Sequence, residues 1–277
     1  PWPSPLEDLF DDIAAHAKQG HKIVVLATGN PMWYGVGVKL RQRFRPDEMV
    51  VLPNSSAFDL ACARLKWAEA EVDCITVHGR PVESVNAYLL PKARIIILCR
   101  DGKSPREIAA ELVNAGYGRS HMVAFSHLGG RREKRVKATA SDWPEQPTPD
   151  LVTVAIECVA SDSARVYARV PGLPDEAFRH DGQMTKSEVR AITLSALAPR
   201  PCEILWDVGA GCGSIGIEWM RAARETRAIA IERDKGRAAL IAENASNLGT
   251  PTINLVIGNA PEAIRNLESP DAVFIGG

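Results

Sequence analysis

Short apolar runs alternate with amphipathic stretches along this chain, the pattern expected of βα units around largely parallel sheets. Ser4-Pro5-Leu6-Glu7 has the form of a capping box with proline at the first helical position. A helix is therefore expected from about Pro5 to Gln19, stopped by Gly20. Lys22 to Ala27 reads as a buried strand, Trp33 to Phe44 as a helix, Met49 to Leu52 as a strand and Ala57 to Leu65 as a helix. Strands at Cys74 to His78 and Arg94 to Cys99 flank a short helix at Glu83 to Leu90. A second capping box, Ser104-Pro105-Arg106-Glu107, opens a helix ending near Gly116.

The pattern then changes. His121 to Ser126, Lys134 to Ala140 and Leu151 to Val159 read as strands joined by turns, which implies antiparallel pairing in a second lobe. Ser161 to Gly182 carries two prolines and two glycines and is read as the domain junction. Beyond it, Thr185-Lys186-Ser187-Glu188 is a third capping box, with a helix to about Leu197. The expected order is then a strand at Glu203 to Asp207, a glycine-rich turn, and a helix at Ser214 to Arg224. A strand at Arg227 to Glu232, a helix at Lys235 to Asn247 and a strand at Ile253 to Ile257 follow. A helix at Pro261 to Leu267 and a strand at Ala272 to Ile275 complete it.

The 277 residues suit two domains better than one. With 45% hydrophobic and 24% charged residues, the composition is that of a soluble globular protein. No apolar run is long enough to cross a bilayer, and Pro1-Trp2-Pro3-Ser4-Pro5 is not a secretory signal. The chain starts without methionine and is expected to begin inside a longer protein. A net charge of −1 argues against a nucleic-acid binder. Cys62, Cys74, Cys99, Cys158, Cys202 and Cys212 form no CxxC pair, so reduced thiols in a cytoplasmic protein and no metal site are expected.

Asp207-Val208-Gly209-Ala210-Gly211-Cys212-Gly213 joins a strand to a helix. Glycines there admit a ligand close to the backbone, and a helix N-terminus offers free N–H groups. Glu232, ending the next strand, is placed to accept ribose hydroxyls. Gly211, Gly213 and Gly216 also satisfy GxGxxG, with Glu232 about twenty residues on. The spacing leaves three readings: a nicotinamide dinucleotide, a methyl donor, or a tight turn without ligand. Asp207 and the later Gly258-Asn259-Ala260 turn favour the methyl donor.

These motifs, with Pro261-Glu262-Ala263 and Phe274-Ile275-Gly276-Gly277, resemble successive motifs of class I methyltransferases. Met184-Thr185-Lys186-Ser187-Glu188-Val189-Arg190 before the glycine turn resembles the T-type decarboxylating corrin methyltransferases. That resemblance implies S-adenosylmethionine contacts at Thr185, Gly209, Ala210, Gly211, Cys212, Gly213, Glu232 and Ala260; Thr185 also reads as a plain N-cap. Toward the N-terminus, Ala27 to Gly37, Leu52-Pro53-Asn54-Ser55-Ser56-Ala57 and Val77-His78-Gly79-Arg80-Pro81 together resemble the E-type corrin methyltransferases, a class III fold of two α/β lobes. This implies that Gly29, Asn30 and Ser56 line a second donor pocket. The family usually has aspartate at the Asn30 position. His78 reads either as a cleft residue or as a loop histidine satisfied by backbone.

The fused order is similar to the decarboxylating precorrin-6Y C(5,15)-methyltransferase family of cobalamin biosynthesis. The implied architecture is α/β: a class III tetrapyrrole domain at 1–165 followed by a class I Rossmann-like domain at 166–277. The first strand of the one and the last strands of the other are missing, so this chain alone is expected to be poorly active. The implied reaction is methylation of a precorrin-6 intermediate at carbons 5 and 15, with decarboxylation of the ring-C acetate. Its implied partner is a small-molecule corrin precursor, without nucleic acid or membrane, and a homo-oligomer is left open. No catalytic acid or base is nominated. Arg131, Arg132, Lys134, Arg135 and Lys137 form a basic run that suits either a polyanionic substrate or a solvated hairpin. Lys186 and Arg190, one helical turn apart, are further substrate candidates. The rival readings are an RNA or protein methyltransferase, an NAD-dependent oxidoreductase and a non-catalytic tetrapyrrole-binding protein.

Overall fold

A computed structural model describes residues 6–276 and divides them into two compact units. The first holds the chain up to residue 71 together with Leu128–Arg131. Its first helix, α1 (Leu6–Lys18), has Glu7 and Asp8 in the first turn and His16 and Lys18 in the last, both favourable to the helix dipole. The Ser4 capping box lies outside the described residues. The expected helix at Trp33 to Phe44 shrinks to α2 (Val36–Leu40), because Tyr34 sits at φ +54° and breaks the helical path before it. Next comes α3 (Ala57–Leu65), with the bounds expected. Ser56 Oγ accepts from the Phe58 and Asp59 amides, and Asp59 answers by accepting from the Ser56 amide, a reciprocal cap. The expected strands at Lys22 to Ala27 and Met49 to Leu52 do not form. Among the described residues no strand pairs with either run, and a strand without a ladder leaves its backbone groups to water.

The second unit contains two sheets. One is built from β1 (Val72–Thr76), β2 (Arg94–Leu98), β3 (His121–Ser126), β4 (Lys134–Thr139) and β5 (Val152–Glu157), in the order β1-β2-β5-β3-β4. Strands β1 and β2 are parallel, joined across a 3-10 helix at Val82–Tyr88. The other pairs are antiparallel, as the turn-linked pattern implies. Ile95, Ile96, Ile97, Val154 and Ile156 are buried in this layer, with Ile108 and Leu112 of α4 (Ser104–Asn114). The capping box expected at Ser104 is replaced by another device. Ser104 is already helical, and Asp101 Oδ1 accepts from the amides of Lys103 and Ser104 and from the Ser104 hydroxyl.

The other sheet is wholly parallel, in the order β8-β7-β6-β9: β6 (Ile204–Val208), β7 (Arg227–Glu232), β8 (Asn254–Ile257) and β9 (Ala272–Ile275). Helices α5 (Ser187–Leu197), α6 (Ser214–Ala222) and α7 (Lys235–Asn247) accompany it. The helix expected at Pro261 to Leu267 is only a 3-10 turn at Glu262–Ile264. Among the described residues no helix is long and apolar enough to cross a membrane.

Candidate active site

In the parallel sheet the chain runs outward from β6 through β7 to β8, then crosses back to place β9 on the other side of β6. Such a switch opens a crevice at the carboxyl ends of the strands. The glycine turn sits there. The Gly209 and Ala210 amides donate to the Ile231 carbonyl at 2.9 and 3.1 Å, and the Gly276 amide donates to the Val208 carbonyl at 2.8 Å. A Cβ on Gly209 would come within 2.7 Å of the Gly276 carbonyl oxygen, so this position admits no side chain. Gly211, at φ +60°, is different: a Cβ there would meet nothing within 4 Å, so its α-carbon faces open space. The Gly213 amide closes the turn on the Ala210 carbonyl at 2.8 Å, and α6 starts at the next residue. Ala210 and Cys212 are buried beneath the turn.

Two carboxylates lie under it. Glu232 Oε2 accepts from the Gly211 amide at 2.8 Å and Oε1 from the Asp234 amide at 2.9 Å. The side chain is thereby held, with a lone pair left on each oxygen for a ligand hydroxyl. The Gly258 amide donates to the Glu232 carbonyl at 3.0 Å and brings the Gly258–Ala260 turn alongside, with Ala260 exposed. Asp207 is buried: Oδ2 accepts from the Gly216 amide at 2.9 Å, and Oδ1 has no partner. Burial pushes its carboxyl up to about 7, against the Gly216 hydrogen bond and with the Glu232 charge adding to the rise. Gly216 is therefore occupied in packing α6 against β6.

The segment before α5 departs from expectation. Lys186, not Thr185, holds the N-cap position and makes no side-chain cap, so the third capping box is absent. Lys186 pairs with Asp175 at 3.0 Å and is otherwise exposed. Arg190 is fully buried rather than facing a ligand. Its Nε donates to Glu218 at 2.8 Å and its Nη1 to Asp175 at 2.9 Å, with further bonds to the Thr185 and Leu173 carbonyls and its guanidinium over the Phe178 ring. Its donors are spent on the protein, and its expected substrate role gives way to a structural one. Burial raises the Asp175 carboxyl pKa, but hydrogen bonds from Arg190 and Lys186 outweigh that and leave it lowered. Glu218, which the pattern did not single out, also accepts from the Gly172 and Leu173 amides at 2.6 and 3.1 Å. A lone glutamate inside the apolar run Ile215-Gly216-Ile217-Glu218-Trp219 was the available signal. Thr185 is half-buried beside Met184, which packs on the cluster holding Cys212.

In the first unit, Gly29 lies against Ser55 and Ser56: an added Cβ would sit 3.6 Å from the Ser55 carbonyl oxygen and the Ser56 α-carbon. Asn30 Oδ1 accepts from the Met32 amide at 2.9 Å, and the Ser56 hydroxyl is used as the α3 cap. The structure thus brings Gly29 and Ser56 together. In the second unit the His78 amide donates to Thr76 Oγ1 at 3.1 Å, with the residue exposed. Arg131 and Arg132 are exposed on the turn before β4, whose Lys134, Arg135 and Lys137 are also exposed along the free edge of the antiparallel sheet. Lysines on a free edge discourage pairing with another chain.

The model of the tetrapyrrole (corrin/porphyrin) methylases matches residues 5–144, and that of the precorrin methyltransferase domain matches residues 176–277. The precorrin-6Y C(5,15)-methyltransferase (decarboxylating) of Sinorhizobium sp is 45% identical over all of this chain and 66% of its own length. That of Mycobacterium tuberculosis (strain CDC 1551 / Oshkosh) is 36% identical over all of this chain and 68% of its own length. The chain belongs to the precorrin-6Y C(5,15)-methyltransferase family. It spans about two thirds of the length of these family members. The crystal structure of the C-terminal domain of precorrin-6Y C5,15-methyltransferase from Rhodobacter capsulatus is 50% identical over 40% of this chain and 59% of that one, with a TM-score of 0.38.

Proposed function

We propose that the full-length protein methylates a precorrin-6 intermediate at carbons 5 and 15 and removes carbon dioxide from the ring-C acetate, in cobalamin biosynthesis and in the cytoplasm. The observation that carries this reading is the glycine turn of the parallel sheet. Gly211 faces open space beside a carboxylate, Glu232, whose oxygens are already oriented by backbone N–H groups. That arrangement suits a nucleoside carrying a charged amino-acid tail. Of the ligands GxGxxG leaves open, family membership supports S-adenosylmethionine, which supplies an activated methyl group on a sulfonium centre.

The domain boundary is placed at 165/166. In the second domain Glu232 orients ribose hydroxyls, Gly209 to Gly213 let the backbone approach the donor, and Thr185 and Ala260 flank it. In the first domain Gly29, Asn30 and Ser56 line the other donor pocket. Lys186, Arg131 and Arg132 attract the carboxylates of the corrin. The chain's task is to align donor and acceptor carbon and to keep water out, a proximity effect.

The test is incubation of the full-length protein with S-adenosylmethionine and reduced precorrin-6, followed by mass spectrometry of the corrin. A gain of two methyl groups with loss of one carboxyl is expected. A corrin of unchanged mass, with donor binding intact, would remove this substrate.

A further inference from the structure

One face of α7 carries Arg237, Ile241 and Asn244 at helical spacing, and it anchors two loops at once. Arg237 Nε donates to Asp181 at 2.7 Å and its guanidinium also reaches Gln183. Ile241 packs against Gly213, where an added Cβ would stand 3.0 Å from its Cγ2. Asn244, almost wholly buried, ties the loops together. Its Nδ2 donates to the carbonyls of Cys212 and Arg179, both at 2.9 Å, and its Oδ1 accepts from the Arg179 amide at 2.8 Å. One amide thus holds both backbone groups of a junction residue and a carbonyl of the glycine turn. The peptide joining Cys212 to Gly213 is fixed at both ends, since the Gly213 amide is held by the Ala210 carbonyl.

We propose that Asn244 is a positioning residue for the glycine turn, so that donor affinity in the second domain depends on the junction segment staying seated on α7. This rests on the reading that the turn binds the methyl donor. Held only at its Gly213 amide, the 212–213 peptide would tilt at the Cys212 carbonyl, shift the backbone at Gly211, where the open space lies, and weaken the Gly211 amide's bond to Glu232. Asn244 is 1% exposed and its amide is committed to protein partners, so it acts through the turn.

The substitution Asn244→Asp keeps the acceptor for Arg179 and replaces both donors with a carboxylate facing two carbonyl oxygens. The full-length variant is titrated with S-adenosylhomocysteine by calorimetry, beside Gly211→Val and Thr226→Val. Thr226 is buried at the opposite end of β7, its hydroxyl bonded to the Ala223 carbonyl at 2.9 Å, so it controls for general loss of stability. Asn244→Asp is expected to weaken, by tenfold or more, the affinity component that Gly211→Val removes. The KM for S-adenosylmethionine should rise in proportion, with kcat within about threefold. Amide exchange should quicken over residues 179–183 and 210–214 and not over the centre of β7. Thr226→Val should lower the unfolding midpoint without changing affinity. Affinity within twofold of wild type in Asn244→Asp, or an equal loss in Thr226→Val, overturns the proposal. If Gly211→Val leaves binding unchanged, the donor reading fails first and takes the proposal with it.

Discussion

Residues 22–27 and β7 carry the same apolar pattern and meet opposite ends. Val24 and Leu26 are each 83% exposed, while Ile231 is 1% exposed in the middle of a four-stranded sheet. The difference lies in pairing. Strand β7 has a parallel neighbour on each side; α6 and α7 cover the face that carries Ala228 and Ala230, and on the other face Ile231 packs with Ile204, Ile229, Val256 and the Ala263–Leu267 segment. The 22–27 run has no ladder among the described residues, so its side chains have no surface to bury against. The two regions are also held by different forces. Around the first helices the ion pairs Lys39–Glu7 and Arg43–Asp11 involve exposed partners, where such contacts contribute at most about 1 kcal/mol. In the second domain Arg190 and Glu218 are both buried and fix four backbone groups of the segment before α5, the Leu173 and Thr185 carbonyls and the Gly172 and Leu173 amides.

The contrast is broken most severely at Glu218. Replacing it with alanine leaves the buried Arg190 guanidinium with Asp175 as its one remaining carboxylate and frees the Gly172 and Leu173 amides, a loss expected to be about 3 kcal/mol, read from denaturant midpoints. A loss below about 1 kcal/mol would mean that water reaches the pair. Ile231→Ala should cost about 2–5 kcal/mol, as for other core truncations.

Asp207→Asn tests the buried carboxyl. Burial raises its pKa from 3.8 to about 7, so the folded state binds the proton more tightly than the unfolded one. The stability contributed by that proton is complete below about 3.8 and is lost as pH rises through about 7. Asparagine has no proton to lose and can keep the Gly216 bond. Its stability relative to wild type should therefore climb between pH 4 and 8; a flat difference across that range would contradict the raised pKa. The smallest effect is expected at Val24→Ala, within about 0.5 kcal/mol of wild type. If this change costs as much as Ile231→Ala, the 22–27 run is a packed strand and the comparison collapses.

Much of the second domain was legible in the chain. Strand β7, helix α7 and strand β9 have the bounds their periodicity implies, as do α3 and β3, because in each the local pattern and the tertiary partner agree. Where they disagree, local rules misled. The S-x-x-E pattern at Ser104 lost to Asp101, a stronger acceptor three residues earlier, and that at Thr185 lost to a helix starting without a side-chain cap. Arg190 looked like a surface cation because its partners, Glu218 and the Leu173 carbonyl, lie 28 and 17 residues away. Asn244 was invisible for the same reason: its three bonds reach 32 and 65 residues back. The glycine turn was legible because its chemistry sits in consecutive residues, and Glu232 because a strand end has a fixed place in a parallel sheet.

The central claim is that this turn holds the methyl donor. Calorimetric titration of the full-length protein with S-adenosylhomocysteine, wild type against Gly211→Val, tests it most directly. The structure predicts that valine, strained at φ +60° and projecting into the open space, removes the second-domain binding event while β-sheet content is retained. Unchanged binding in that variant, or a preference of the wild type for a nicotinamide dinucleotide, would contradict it.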